Sequence, residues 1–115
     1  MSADTVPLNA LLGRGATYEG DLSFEGRVRV DGLFRGRIFT EEILEVGEEG
    51  RIEGEVDAQT LVVAGMVDGT IRVRGVLRVE ATGRLHGEVH TEKLVVREGA
   101  QVNAHVRCGG RGDPL

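Results

Sequence analysis

The sequence predicts an all-β fold, a single-stranded parallel β-helix (β-solenoid) with a triangular cross-section and about five to six windings. Three observations support this prediction: a repeat of about 17 residues, an alternation of apolar and polar residues inside each repeat, and 18 glycines in 115 residues. Average glycine usage is roughly 7%, so this chain is rich in glycine without a collagen period. Glycine at this level indicates many tight corners.

The repeat is a seven-residue phrase that occurs five times: small, any, aliphatic or Phe, any, small, any, aliphatic. Its last residues are spaced 18, 15, 18 and 17 apart, and they are Ile38, Val56, Ile71, Val89 and Val106. A shorter phrase with a leading leucine precedes four of the copies, at Leu44, Leu61, Leu77 and Leu94. Two phrases in constant order indicate one structural unit per repeat.

Within each phrase the period is 2, which is typical of a strand with one buried face. In residues 50–56, Ile52 and Val56 share one parity with two glycines, and charged residues occupy the other. Seventeen residues suffice for three short strands and three corners, with each winding pairing in parallel with the next. This register stacks Phe34 on Ile52 inside the coil. Outside it stacks two arginines on two glutamates, Arg35 on Glu53 and Arg37 on Glu55.

Composition excludes several function classes. The net charge is −5, which disfavours direct nucleic-acid binding because that binding depends on neutralising phosphates. The single cysteine, Cys108, fits a reducing compartment, and no signal peptide or apolar run of roughly 18–20 residues is visible. We therefore expect a cytoplasmic protein with no cofactor. The expected organisation is a tail at 1–12, a β-helix domain at 13–108 and a second tail at 109–115.

The opening of the predicted coil, LLGRGATYEGDLSFEGRVRVDGLFRGRI at 11–38, resembles the bactofilins, bacterial polymer-forming cytoskeletal proteins. The matching positions are Gly13, Gly15, Tyr18, Glu19, Gly20, Leu22, Phe24, Glu25, Gly26, Val28, Arg29, Val30, Asp31, Gly32, Phe34, Gly36 and Ile38. The resemblance spans roughly 11–108. It departs from the family in the last winding, where Ala100 and Ala104 stand at positions that are more usually glycine.

The resemblance implies a right-handed coil that polymerises end to end without nucleotide, joining like ends into non-polar filaments. It also implies a scaffold for cell-wall or chromosome-organising proteins, and in many members a contact with the inner face of the cytoplasmic membrane through an apolar N-terminal segment. Here that segment is VPLNALL at 6–12, whose apolar residues at helical spacing are Leu8, Leu11 and Leu12.

The physical argument for polymerisation is separate from the resemblance. A solenoid has two ends with unpaired strand edges, and no atypical capping repeat is visible in this sequence. At the C-terminal end the expected polymer interface is Leu94, Val96, Val102 and Val106. At the N-terminal end the expected interface is Leu22, Phe24, Val28 and Val30. Outward Val62 and Val95, with Ile43 nearby, predict an apolar strip along one side, covered either by the tail or by a lateral contact.

Two alternatives stay open from the sequence. The first is a β-helix module that binds a protein partner without polymerising. The second is a hexapeptide-type acyltransferase, because some positions are six residues apart, but that series fails at Asp68. The three histidines, His86, His90 and His105, fall on outward positions or just past a strand, which favours surface roles over catalytic or metal-binding ones. We expect no enzyme activity and no metal site.

Overall fold

The computed structural model describes residues 10–13, 15 and 17–108, and this part of the chain contains strands and turns but no helix. The strands in chain order are β1 (Ala10–Leu12), β2 (Thr17–Phe24), β3 (Val28–Val30), β4 (Leu33–Thr40), β5 (Ile43–Val46), β6 (Arg51–Val63), β7 (Met66–Val79), β8 (Arg84–Val96) and β9 (Gln101–Cys108). The prediction of an all-β fold is confirmed.

Every strand pairs in parallel with the strand one winding away, so the chain forms a β-solenoid of about five turns. One column of paired residues, meaning residues stacked one above another in successive windings, runs through Thr17, Leu33, Arg51, Met66, Arg84 and Gln101. The offset between paired residues is therefore 15 to 18 residues per winding. The predicted repeat of about 17 residues is the length of one turn.

Each winding has three short sides. In the winding built by β6, side 1 is 51–53, and a corner at Gly54 (φ +134°) leads into side 2 at 55–58. A register shift between Ala58 and Thr60 marks the second corner, and side 3 follows at 60–63. A turn then leads back to side 1 of the next winding. Long strands such as β6, β7 and β8 therefore bend around the coil instead of running straight.

The core is made of apolar columns that point inward. Burying a Val, Leu or Ile side chain contributes roughly 1.5–3 kcal/mol, so aliphatic columns alone can hold a coil with few aromatics. Residues in the interior windings of these columns are at most 1% exposed. The four continuous inward columns are Tyr18, Phe34, Ile52, Val67, Leu85 and Val102; Leu22, Ile38, Val56, Ile71, Val89 and Val106; Val28, Leu44, Leu61, Leu77 and Leu94; and Val30, Val46, Val63, Val79 and Val96.

Glycine is required at the corner between sides 1 and 2. Five stacked glycines there have φ between +111° and +134°, a conformation that other residues rarely adopt: Gly20, Gly36, Gly54, Gly69 and Gly87. From Gly36 onward, a Cβ atom would also fall on the carbonyl oxygen of the glycine one winding earlier. The second small residue of the repeat phrase must therefore be glycine at Gly36, Gly54, Gly69 and Gly87 for two reasons, the backbone conformation and the lack of space for a side chain.

Outward ion pairs lie where the predicted register places them. The Arg35 and Glu53 side chains approach to 3.2 Å, and Arg37 and Glu55 approach to 3.5 Å. Both pairs are exposed, so each contributes at most about 1 kcal/mol. Their main effect is to favour one alignment of neighbouring windings.

Two expectations about the outside of the coil need correction. The first described strand, β1, pairs with β3, with Ala10 and Leu12 opposite Val28 and Val30, so residues 10–12 are part of the described coil although they were expected in the tail. The apolar strip is also not continuous. Val62 and Val95 share one outward column, but Arg78 lies between them. Ile43 belongs to a neighbouring column, in which its partner is Thr60.

The glycine corner generates a prediction about stability. Gly54→Ala should lower the melting temperature more than Gly20→Ala, because both sites have positive φ but only the alanine Cβ introduced at position 54 would meet a carbonyl oxygen. The shared backbone strain costs about 1–2 kcal/mol, and the collision adds to it only at Gly54. Thermal unfolding followed by circular dichroism measures both variants. Equal losses would show that close approach contributes nothing at this corner.

Candidate assembly interfaces

The inward columns are incomplete at the C-terminal end of the coil. In the column that ends at Val96, the Val63 and Val79 side chains are 0% exposed, whereas the Val96 side chain is 45% exposed. Val96 has the same place in its winding as the other two, so it differs only in having no described winding above it. Val96 thus occupies an inward core position but is exposed to solvent.

The position of the last strand explains this exposure. β9 pairs with β8 from Arg84 to Thr91, and the final pair is Thr91 with Cys108. Among the described residues, no strand therefore lies beyond residues 92–96 on side 3. No described strand pairs with residues 94–96 on their outer side, and a strand edge of this kind favours pairing with a further strand.

All four residues predicted for the C-terminal interface lie at this end. Leu94 and Val96 are on the open side-3 edge, and Val102 and Val106 are the inward residues of β9. Leu94, Val102 and Val106 are half-buried and pack against the core. Val95, predicted as part of a lateral strip, lies on the same edge and is 43% exposed.

At the N-terminal end, Leu22 and Phe24 are half-buried on β2, which pairs with β4 on one side only among the described strands. Val28 and Val30 are not at this end face. They are almost completely buried, because β1 pairs with β3 and covers it. Their assignment to the exposed N-terminal face is therefore wrong.

Tyr18 is an end-face residue that the sequence reasoning missed. It is half-buried and starts the inward column that continues with Phe34. Its hydroxyl accepts a hydrogen bond from the Gly13 backbone N–H at 3.2 Å. Extending the repeat phrase one winding backwards, from Phe34 to position 18, would have identified it.

The apolar N-terminal segment is only partly within the described residues. Leu11 and Leu12 are aligned in β1 with Arg29 and Val30. Leu8 lies outside the described residues. A membrane or partner contact through these leucines stays a prediction.

Two features of the outer surface bear on the catalytic alternative: a groove near β3 and β5, and the outward histidines. A groove near β3 and β5 contains a network in which Arg29 lies 2.9 Å from Asp31 and 3.6 Å from Glu45. The hydrogen bond to Asp31 raises the pKa of Arg29 above its ordinary value. The outward histidines lie on β8 and β9, where His90 is 3.9 Å from Glu88.

Within residues 17–108 and the short described segments before them, no three His, Cys, Asp or Glu side chains lie together in a way that could hold a metal ion. The same part of the chain contains no helix long and apolar enough to cross a membrane.

Comparison with known families gives a match over nearly the whole coil. A family model described as bactofilin, polymer-forming cytoskeletal, matches residues 10–107. This chain belongs to the bactofilin family. Its match begins at Ala10, the first residue of β1, so the family domain and the coil share their start.

A solved structure agrees with this assignment. The crystal structure of a bactofilin mutant from Thermus thermophilus matches with a TM-score of 0.69 and 31% sequence identity. The alignment covers 78% of this bactofilin and 100% of the Thermus chain. No curated protein matches the chain.

The open end face of this bactofilin predicts a contrast between two positions of one column. Val96→Arg should change the free energy of unfolding by less than about 1 kcal/mol, because its side chain can reach water. Val79→Arg should cost about 3 kcal/mol or more, because it places an unpaired charge in the core. Urea unfolding at low protein concentration measures both. Similar losses for the two variants would contradict the open end.

Proposed function

We propose that this bactofilin assembles end to end, without nucleotide, into non-polar filaments that act as a cytoplasmic scaffold for cell-wall or chromosome-organising proteins. The observation that carries the proposal is that both end faces present inward core positions that are only partly covered. Tyr18, Leu22 and Phe24 are half-buried at one end, and Val96 is 45% exposed at the other.

A second copy stacked on an end face would cover the partly exposed inward side chains and would pair with the strand edges there. Apolar side chains of the last winding would be buried against those of another end winding, which is favourable in proportion to the area removed from water. Backbone N–H and C=O groups of β9 and of residues 94–96, which no described strand covers, would gain partners of the kind that join the windings within the chain. Both gains use groups already in place, so the contact needs no bound nucleotide.

Non-polarity follows from the family resemblance rather than from the end faces themselves. If C-terminal faces join each other and N-terminal faces join each other, each junction has a two-fold axis and the same patch on both copies. Alternating the two junctions gives an open filament whose ends are equivalent. Such a filament repeats its outer faces at a regular spacing, which suits a scaffold that recruits cytoplasmic or membrane proteins. A contact of Leu8, Leu11 and Leu12 with the inner membrane surface would place the filament there.

The test is a charge introduced on the inward face of the last strand. Val102→Arg should yield short soluble species instead of filaments, because the arginine would be buried without a partner at the junction. Asn103→Arg is the matched control, since it adds the same charge to the same strand but on the exposed outer side. Negative-stain microscopy and light scattering over a concentration series report filament length.

Filaments should persist in Asn103→Arg and disappear in Val102→Arg, while both keep the circular dichroism of the unsubstituted chain. A second inward variant, Val106→Arg, should behave like Val102→Arg. Persistent monomers of the unsubstituted chain in physiological salt would contradict polymerisation. Unchanged filaments in both inward variants would show that the C-terminal face is not a junction.

A further inference from the structure

All three histidines of the chain lie on the last two strands of the coil. His86 and His90 are on β8, and His105 is on β9. The residues before them contain no histidine. Histidine is the side chain whose charge ordinarily changes between pH 5 and 8. A change of pH in this range therefore alters the side-chain charge of the C-terminal end of the coil and leaves the side chains of the N-terminal end unchanged.

His105 is exposed on the outward side of the last described strand. Glu88 of β8 is directly opposite it, and His86 and His90 lie two residues to either side of Glu88. Arg107 lies two residues beyond His105 on β9 and is opposite His90. When the three histidines are neutral, Glu88 and Arg107 balance each other in this patch. When the histidines are protonated, the patch has an excess of positive charge.

The other charges at this end do not offset that change. In residues 84–108 they are Arg84, Lys93 and Arg97 against Glu92 and Glu98. Acidic and basic side chains are thus nearly balanced over the last two strands, and each protonated histidine adds a positive charge that no carboxylate of this end cancels.

A junction between two C-terminal faces repeats this charge on both of its sides. In the like-to-like filament of the proposed function, on which this inference rests, a two-fold axis brings two identical faces together. Windings are about 4.8 Å apart, so His105 would lie within the screening length of about 10 Å at 0.1 M salt from the end strand of the second copy. We propose that the C-terminal junction is pH-sensitive: protonation of His105, together with His86 and His90, weakens it, whereas the N-terminal junction keeps its strength.

The sign of the effect follows from proton linkage. Repulsion between the two faces disfavours bound protons, so the assembled face binds fewer protons than the free face and the junction weakens as pH falls. Glu88 attracts protonated imidazoles in the free chain and in the filament alike, so it does not cancel this difference. The charge of the whole chain acts in the opposite direction, because protonation brings its net charge of −5 closer to zero and thereby favours association. Weaker assembly at lower pH is therefore specific to the junction.

A head-to-tail junction would respond with the opposite sign. If the windings continued in register from one copy to the next, β9 would pair with β2 of the following copy. His105 would then lie next to Asp21, which is the first residue of the same outward column. Protonation would create an attractive pair there, and acid would strengthen the filament.

The expected product of acidification is a dimer joined through its N-terminal faces, because only the C-terminal junctions weaken. The effect is graded, since the histidines are at the outer rim and not in the apolar centre of the junction. We define the half-assembly concentration as the protein concentration at which half of the chain is in filaments. It should rise about fivefold from pH 8 to pH 6, and filaments should persist at both pH values when the protein is concentrated, as expected for the exposed charge of Asn103→Arg.

The test is a dilution series of the full chain, without a histidine tag, at pH 8 and pH 6 in about 0.1 M salt. Light scattering gives the half-assembly concentration at each pH. At a protein concentration between the two values, sedimentation velocity should show filaments at pH 8 and dimers at pH 6. At about 1 M salt the difference between the two pH values should disappear, because the screening length falls to about 3 Å.

Substitutions assign the response to the histidines. The triple variant His86→Gln, His90→Gln, His105→Gln should have the same half-assembly concentration at both pH values. His105→Arg, which is charged at both, should show the higher value already at pH 8. Among single variants, His105→Gln should lose most of the response, and the matched control His86→Gln should keep most of it, because His86 is one winding farther from the junction. Circular dichroism at both pH values checks that the coil is intact.

Four results would overturn the pH-sensitive junction: equal half-assembly concentrations at both pH values, an unchanged response in the triple variant, stronger assembly at pH 6, or monomers in place of dimers at pH 6. Filaments that form but do not respond to pH count against this inference alone. Absence of filaments from the unsubstituted chain at pH 8 counts against the proposed function, and it removes the C-terminal junction as well. The two failures are therefore distinguishable.

Discussion

Each winding of this coil finds backbone hydrogen-bond partners in the windings on either side of it, because parallel strands pair only with their neighbours. This ladder depends on the chain returning to the same register every 15 to 18 residues. Glycine makes the return feasible at one corner, where Gly54 and its stacked equivalents approach the preceding carbonyl more closely than any side chain allows. The register stacks the buried aliphatic residues into columns. It also leaves the end strands β2 and β9 paired on one side only among the described strands. Among the described strands the ladder has an unpaired edge at each end, and the proposed end-to-end assembly would extend it there.

Most of the buried residues of this fold, and the register that stacks them, could be predicted from the sequence. The spacing of Val56, Ile71 and Val89 fixed the register of three windings, and the opposite charges of Arg35 and Glu53 agreed with it. The repeat works as a predictor because every winding experiences the same surroundings. Burial at Phe34 or Leu85 is a property of the repeat phrase itself.

The ends were harder to predict because they are defined by where the repeat stops. β1 is only three residues long and lacks the phrase that marks other windings, so the burial of Val28 and Val30 beneath it was missed. Val96 has the same sequence context as Val63 and differs only in what lies above it.

In the proposed filament, the filament axis continues the coil axis. Fibre diffraction from aligned filaments reports this geometry, because strands that stack along the filament give a strong reflection at about 4.8 Å along the fibre direction. We predict that reflection on the meridian, with strands perpendicular to the filament. A reflection at about 4.8 Å on the equator would mean that molecules join through their sides, and it would contradict end-to-end assembly.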